Sequence, residues 1–232
     1  MRCAIYYIPP REHSLCAAAG TWLRRDPYTG ASISGQVAGL DEEWHATLTA
    51  APRRYGFHAT IKAPFRLAEP WTVEDVAASL ADFASNAAPF ELALRISRID
   101  EFFAYVPVVQ LAELDTLAGD VVMAFEPFRA PLNDADLARR SLDRLSPEQR
   151  DNVMNWGYPY VFDQFRFHMT LTGAVAPDHV QDVESALYRH FGSADAQVDV
   201  SQLVLAVEPI EGAPFIVHST HGFAASRERK RG

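Results

Sequence analysis

One seven-residue pattern occurs twice in this chain. Tyr55-Gly56-Phe57-His58-Ala59-Thr60-Ile61 and Phe165-Arg166-Phe167-His168-Met169-Thr170-Leu171 share the order aromatic, any residue, Phe, His, any residue, Thr, aliphatic, with the histidines 110 residues apart. Both copies lie in short apolar runs that read as β-strands. Side chains on a strand alternate between faces, so His58 shares a face with Thr60 and His168 shares one with Thr170. Phe57, Ala59 and Ile61 then point the other way, into packing. A chain under this constraint needs a strand in each half with one chemical face and one structural face.

The segments around the two copies repeat in kind. Cys3 to Ile8 reads as a strand stopped by Pro9 and Pro10, and helical spacing follows over 13–25. Asp41 begins a short helix, with Glu42 and Glu43 in its first turn and Trp44 and Leu48 on one face. Gly56 to Ile61 is expected as a strand ended by Pro64, and Thr72 caps a helix over 72–87. Phe90–Ile99 and Phe102–Val109 read as a hairpin around Asp100 and Glu101. Helices are expected over 111–128, 134–145 and 147–156, the last started by Ser146 as cap and Pro147 as first residue. A strand over 165–173, a helix over 178–191 stopped by Gly192, and strands over 198–207 and 215–219 complete the chain. Strand–helix–strand–strand segments recur in each half. This predicts an α+β architecture of two similar lobes. Residues 1–232 form one such domain, with a helical insertion at about 111–156 and a basic tail over 227–232.

The paired motif is suited to phosphate-ester chemistry. Opening a phosphodiester needs a base to activate the attacking oxygen and an acid to protonate the leaving one. Histidine titrates near neutrality, so two imidazoles can divide and exchange these roles. Thr60 and Thr170, on the same faces, can donate hydrogen bonds to the non-bridging oxygens as charge develops. Each well-placed acid or base contributes roughly 10²–10⁴-fold in rate. The candidate catalytic set is therefore His58, His168, Thr60 and Thr170, and it requires neither metal nor cofactor. Alternation adds Lys62 to the first face, and Arg166 and Thr172 to the second, as candidate substrate-binding groups; the two cations suit a phosphate. Trp156, Tyr158 and Tyr160 either stack on a base or sugar or pack on the core. One of Tyr6 and Tyr7 on the first strand faces the cleft, with Tyr6 taken as the candidate.

Two other stretches imitate the motif. His45-Ala46-Thr47 falls in the helix after Asp41, where residues two apart point in different directions, so His45 is expected to be a surface histidine. His218-Ser219-Thr220 lacks both the preceding Phe and the following aliphatic residue. It reads as a structural or rim position, with catalysis or a metal site shared with His221 as alternatives. His13, His179 and His190 show no partner pattern and are expected at the surface.

Composition limits the partners. The 232 residues carry a formal net charge of −9, which argues against a long nucleic acid but not against a small anion held by a few local cations. The two cysteines, Cys3 and Cys16, form no CxxC or multi-cysteine framework. The first ten residues lack a signal-peptide pattern, and no apolar run reaches the ~20 residues needed to cross a bilayer. A soluble, cytoplasmic protein of a reducing compartment is expected.

Paired His-x-Thr motifs on strands resemble the 2H phosphoesterase superfamily, which includes RNA 2′-5′ ligase-like and cyclic phosphodiesterase proteins. The longer strings Arg54 to Phe65, Trp156 to Tyr160 and Phe165 to Gly173 are similar to its uncharacterised DUF1045 branch, associated with phosphonate-metabolism operons. Ala4 to Pro10 and Leu203 to Phe215 extend the similarity over nearly the whole chain. The resemblance implies two pseudo-symmetric antiparallel-sheet lobes with helices outside and a central cleft. It also implies a phosphoric diester hydrolase acting on a small cyclic or linear phosphodiester, such as a ribose cyclic phosphate of phosphonate breakdown. An enzyme of RNA 2′,3′-cyclic ends and a non-catalytic module that binds a phosphorylated ligand are the alternatives.

Overall fold

A computed structural model describes residues 1–35, 37 and 39–224. The expected basic tail over 227–232 lies outside the described residues. In chain order the elements are β1 (Arg2–Tyr7), α1 (Ser14–Leu23), α2 (Glu42–Tyr55), β2 (Ala59–Phe65), α3 (Val73–Asn86), β3 (Phe90–Ile99), β4 (Phe102–Pro107), α4 (Ala112–Ala124), α5 (Asp134–Ala138), α6 (Pro147–Trp156), β5 (Met169–Thr170), α7 (Val180–Phe191), β6 (Asp195–Val200), β7 (Gln202–Glu208) and β8 (Ile216–Gly222). The fold is α+β.

Helix starts follow their caps. The Asp41 carboxylate accepts from Trp44 N at the start of α2, and Thr72 and Asp75 form a reciprocal capping box on α3. Ser146 does the same with Gln149 ahead of Pro147 on α6. Each such cap satisfies backbone N–H groups that the helix itself leaves unpaired, and contributes ~1 kcal/mol. The helix expected over 134–145 is broken instead. It yields the short α5 and a 3₁₀ turn at Leu142–Arg144, separated by Ser141 in the left-handed region at φ 46°.

The eight strands form one sheet in the order β6-β3-β4-β5-β2-β1-β7-β8, with every pairing antiparallel. The expected separate sheets are joined because the two motif strands pair with each other, Ala59 facing Met169. Four strands lie on each side of that junction.

The run expected as one strand over 198–207 is two strands, β6 and β7, with Ser201 between them. In a flat sheet, six strand spacings between β6 and β7 would be roughly 29 Å. A single residue spans only about 3.5 Å, so the sheet curls until its two ends meet. Tyr7 Oη donates to Asp199 O at 3.1 Å, and Gln202 Nε2 donates to Ile8 O at 2.9 Å across this closure.

The larger core lies between one face of the sheet and the helices. It contains Ile5, Tyr7, Trp22, Phe57, Ile61, Leu80, Phe103, Met169 and Leu203. Trp22 Nε1 donates to Leu171 O at 2.8 Å, which satisfies the indole within it. A smaller cluster on the opposite face of β1 holds Ala4, Tyr6, Ile8, Cys16, Val204, Ala206 and Phe215. Strand β1 is thus packed on both faces, and its alternation turns Tyr6 and Tyr7 to opposite sides. Cys3 and Cys16 are free and buried. Burial pushes their thiols up, to about 11 and about 12, so neither presents a thiolate at neutral pH.

Candidate functional site

His58 and His168 each sit one residue before their strand begins, β2 at Ala59 and β5 at Met169. Each ring is held in the same way. His58 Nδ1 lies 2.9 Å from Gly56 O, and His168 Nδ1 lies 2.8 Å from Arg166 O, a carbonyl two residues back in both cases. A carbonyl only accepts, so each Nδ1 carries the proton and each Nε2 is left available. Thr60 Oγ1 is 3.3 Å from His58 Nε2. Since Ala59 pairs with Met169 in antiparallel register, His58 lies across from Thr170 and Thr60 lies across from His168. The two motifs interlock, each histidine beside the other motif's threonine.

Both histidines and both threonines open onto one cleft of about 560 Å³. Tyr6 and Tyr158 line it too, together with Arg2, Arg54, Arg139 and Arg140. The Tyr6 ring centroid is 3.9 Å from that of His58. Burial among these rings lowers the His58 imidazole to about 4, with the Gly56 carbonyl opposing the shift and His168 adding to it. His58 is therefore neutral at pH 7 and suited to accept a proton. Two recesses adjoin the cleft. One holds His58, Thr170, Tyr55 and Phe102 among largely apolar walls. The other holds Thr60, His168, Tyr158, Tyr160, Phe165 and Arg166.

Lys62 and Trp156 point elsewhere, and Thr172 lines the recess beside His58 and Thr170 with its hydroxyl already engaged. Lys62 is buried and donates to Val122 O and to Glu126 Oε2, both at 3.0 Å. The cause is a bulge in β2: Ile5 pairs with Lys62, but the next residue, Tyr6, pairs with Thr60. The extra residue resets the alternation and turns Lys62 toward α4. Thr172 is buried as well. Its hydroxyl accepts from Phe103 N at 2.9 Å and donates to Gly173 O at 2.8 Å. Strand pairing stops at Thr170, and Leu171 N and Thr172 N both donate to Phe103 O, so the alternation assumed over 165–173 ends before Thr172. Trp156 packs against Phe162 at 5.0 Å and stays out of the cleft. Arg166 is exposed and lines the recess beside His168.

His45 corrects another expectation. It lies on α2, as predicted, but it is buried, 5.1 Å from the Trp22 ring, and neither ring nitrogen has a hydrogen-bond partner. It shares its helix face with Leu48, Thr49 and Pro52, a spacing visible in the sequence. Thr47 is on the exposed side. His218 is exposed on β8, away from the cleft, and Ser219 Oγ lies 2.8 Å from His221 Nε2. Among the described residues no group of three or more His, Cys, Asp or Glu side chains is arranged to hold a metal, and no helix is long and apolar enough to cross a membrane.

The cleft arginines were not identified from the motifs. Arg54 stands one residue before the first motif. Arg2 shares the β1 face of Tyr6 by alternation, so both carried a readable signal. Arg139 and Arg140 come from the turn after α5, where no periodicity marks them.

A family described as "Protein of unknown function (DUF1045)" matches residues 60–216, which include Thr60, His168 and Thr170. The chain belongs to the DUF1045 family. Among curated proteins, one from Janthinobacterium sp. (strain Marseille) is 34% identical over 98% of this chain and 52% of its own length. Another, from Laribacter hongkongensis (strain HLHK9), is 38% identical over 93% of this chain and 50% of its own length. Both are named Ribose 1,5-bisphosphate phosphokinase PhnN. The chain spans about half the length of these relatives. A crystal structure of TT0787 from Thermus thermophilus aligns with a TM-score of 0.44 at 14% identity, over 97% of this chain and 100% of that one.

The relatives' names overturn the expected enzyme class. A phosphokinase is a phosphotransferase, not a phosphoric diester hydrolase. The name is that of the whole relatives, of which this chain spans about half.

Proposed function

We propose that this cleft is a two-histidine acid–base site of the 2H type, acting on a phosphate group of a small phosphorylated sugar in phosphonate-related metabolism. The observation that carries the reading is the matched pair of imidazoles. Both open on one cleft, both have Nδ1 held by a carbonyl, and neither Nε2 is tied to the backbone, His58's lying 3.3 Å from Thr60 Oγ1. The sugar phosphate is supported by the relatives' shared name, and the metabolic setting by the family resemblance.

The proton steps follow from the environment. His58, neutral at pH 7, takes the proton of the acceptor hydroxyl. The freed oxygen attacks phosphorus, the bond to the leaving oxygen breaks, and His168 Nε2, protonated at the start of the step, returns a proton to that oxygen. Thr60 and Thr170 donate to the non-bridging oxygens. Because each threonine lies opposite the other motif's histidine, both sides of one phosphate receive a hydroxyl and an imidazole. The chain contains no GxxxxGK[ST] string to cradle a nucleotide triphosphate, so the arginines and the threonines are its phosphate-binding groups.

The test is ³¹P NMR of cyclic and linear ribose phosphates with the wild type, His58→Ala and His168→Ala, in excess EDTA. A new phosphorus signal that is lost in both variants supports the site. Turnover surviving in either variant rejects it. Tight binding with no turnover of any compound reassigns the cleft to phospho-ligand binding.

A further inference from the structure

Four arginines line the side of the cleft formed by β1, the end of α2 and the turn after α5, and a fifth, Arg66, stands behind them after β2. They share three carboxylates. Glu208 takes Arg2 and Arg54. Asp136 takes Arg66 and Arg139. Glu211 takes Arg139 a second time. Arg140 makes no ion pair or side-chain hydrogen bond among the described residues. Its guanidinium lies 5.2 Å from the Tyr158 ring centroid, and its Nε is enclosed without a partner. Arg54 Nε is enclosed and unpartnered too. A protein of net charge −9 thus concentrates five cations against three anions beside its cleft. A guanidinium without a carboxylate partner at the edge of a cleft is matched by an oxyanion there.

The excess is separate from the histidine chemistry. The recess shared by His58 and Thr170 contains no arginine. The recess shared by Thr60 and His168 contains only Arg166. Arg2, Arg54, Arg139 and Arg140 line the central cleft, outside those two recesses. A single phosphate between the imidazoles would leave this second cationic wall unmatched.

We infer that the wall centred on Arg140 and Arg54 receives a second phosphate of the substrate, so that the ligand class is a small sugar carrying two phosphate groups. This rests on the two-histidine reading of the same cleft. The two Nη groups of Arg140, unpaired among the described residues, donate to one phosphate, with Tyr158 backing the guanidinium and Arg54 on the same wall. The cleft volume of about 560 Å³ accommodates a bisphosphorylated pentose.

Calorimetric titration of the 232-residue protein with ribose 1,5-bisphosphate and with ribose 5-phosphate tests the assignment. The readout is the ratio of the two affinities. Wild type is expected to favour the bisphosphate by roughly ten- to a hundredfold, the range of one charge-assisted contact. Arg140→Gln brings the ratio close to one, and Arg140→Lys leaves it between the two, which guards against a glutamine variant that fails to fold. A wild-type ratio near one, or an Arg140→Gln ratio equal to wild type, overturns the inference. The two readings fail separately. Unaltered turnover in His58→Ala rejects the acid–base site, whereas the affinity ratio reports on the arginines.

Discussion

Ala59 faces Met169 in the one backbone pairing that joins β2 to β5. That pair fixes the site, because one residue either side of it sets His58 against Thr170 and Thr60 against His168. A slip of one residue would move every side chain to the other face of its strand. The register therefore determines whether two acid–base groups meet at all. Replacing either histidine by alanine is expected to lower turnover by about 10²–10⁴-fold with little change in melting temperature, measured as kcat on whichever ribose phosphate the wild type consumes.

The threonines should act on the transition state. Thr60→Val and Thr170→Val keep side-chain size and remove one hydroxyl each, so each should lower kcat by roughly 10–10³-fold and leave KM nearly unchanged. A rise in KM at constant kcat would assign the hydroxyls to ground-state binding instead.

Lys62 offers the opposite behaviour. Its ammonium is buried between Val122 O and Glu126, outside the cleft. Lys62→Met should destabilise the fold by about 1–3 kcal/mol by leaving these acceptors unmatched. Activity per folded molecule should stay at the wild-type level. Urea unfolding paired with kcat separates the two, and a selective loss of activity would bring Lys62 back to the site.

Two histidines make the fold sensitive to acid. Burial lowers His45 and His58 to about 4 from an ordinary value near 6.5. Between those values the unfolded chain binds protons that the folded chain does not. Stability is therefore greatest above pH 6.5 and falls as pH drops toward 4. His45 packs edge-on against Trp22 and its ring nitrogens have no partners, so His45→Leu should flatten that slope by on the order of 1–2 kcal/mol at about pH 4.5 and leave stability at about pH 7 unchanged or raised. Urea melts at the two pH values decide it.

Much of this architecture was legible because local rules agreed. Asp41, Thr72 and Ser146 named their helices correctly, and the period of two placed Thr60 beside His58. Where the reading failed, a nonlocal pairing had overridden a local rule. Nothing in β2 alone announces the bulge that turns Lys62 inward; it arises from alignment with β1. The break at Ser141 split an apparently continuous helix and delivered Arg139 and Arg140 to the cleft. The apparent strand across Ser201 had no turn residue to mark it, yet it divides between opposite ends of the sheet. The reaction class was not legible in the motif, since imidazole pairs do not specify their acceptor.

The closure at Ser201 has a mechanical consequence. The two halves meet along two lines: the single Ala59–Met169 pair at the site, and the far corner where Ser201 carries the chain across, braced by the Tyr7–Asp199 and Gln202–Ile8 hydrogen bonds. The corner braces the ends of the strand order, whereas the motif strands sit together at its middle. Two separate ties hold the halves against each other, so the contact between the motif strands does not carry that load alone.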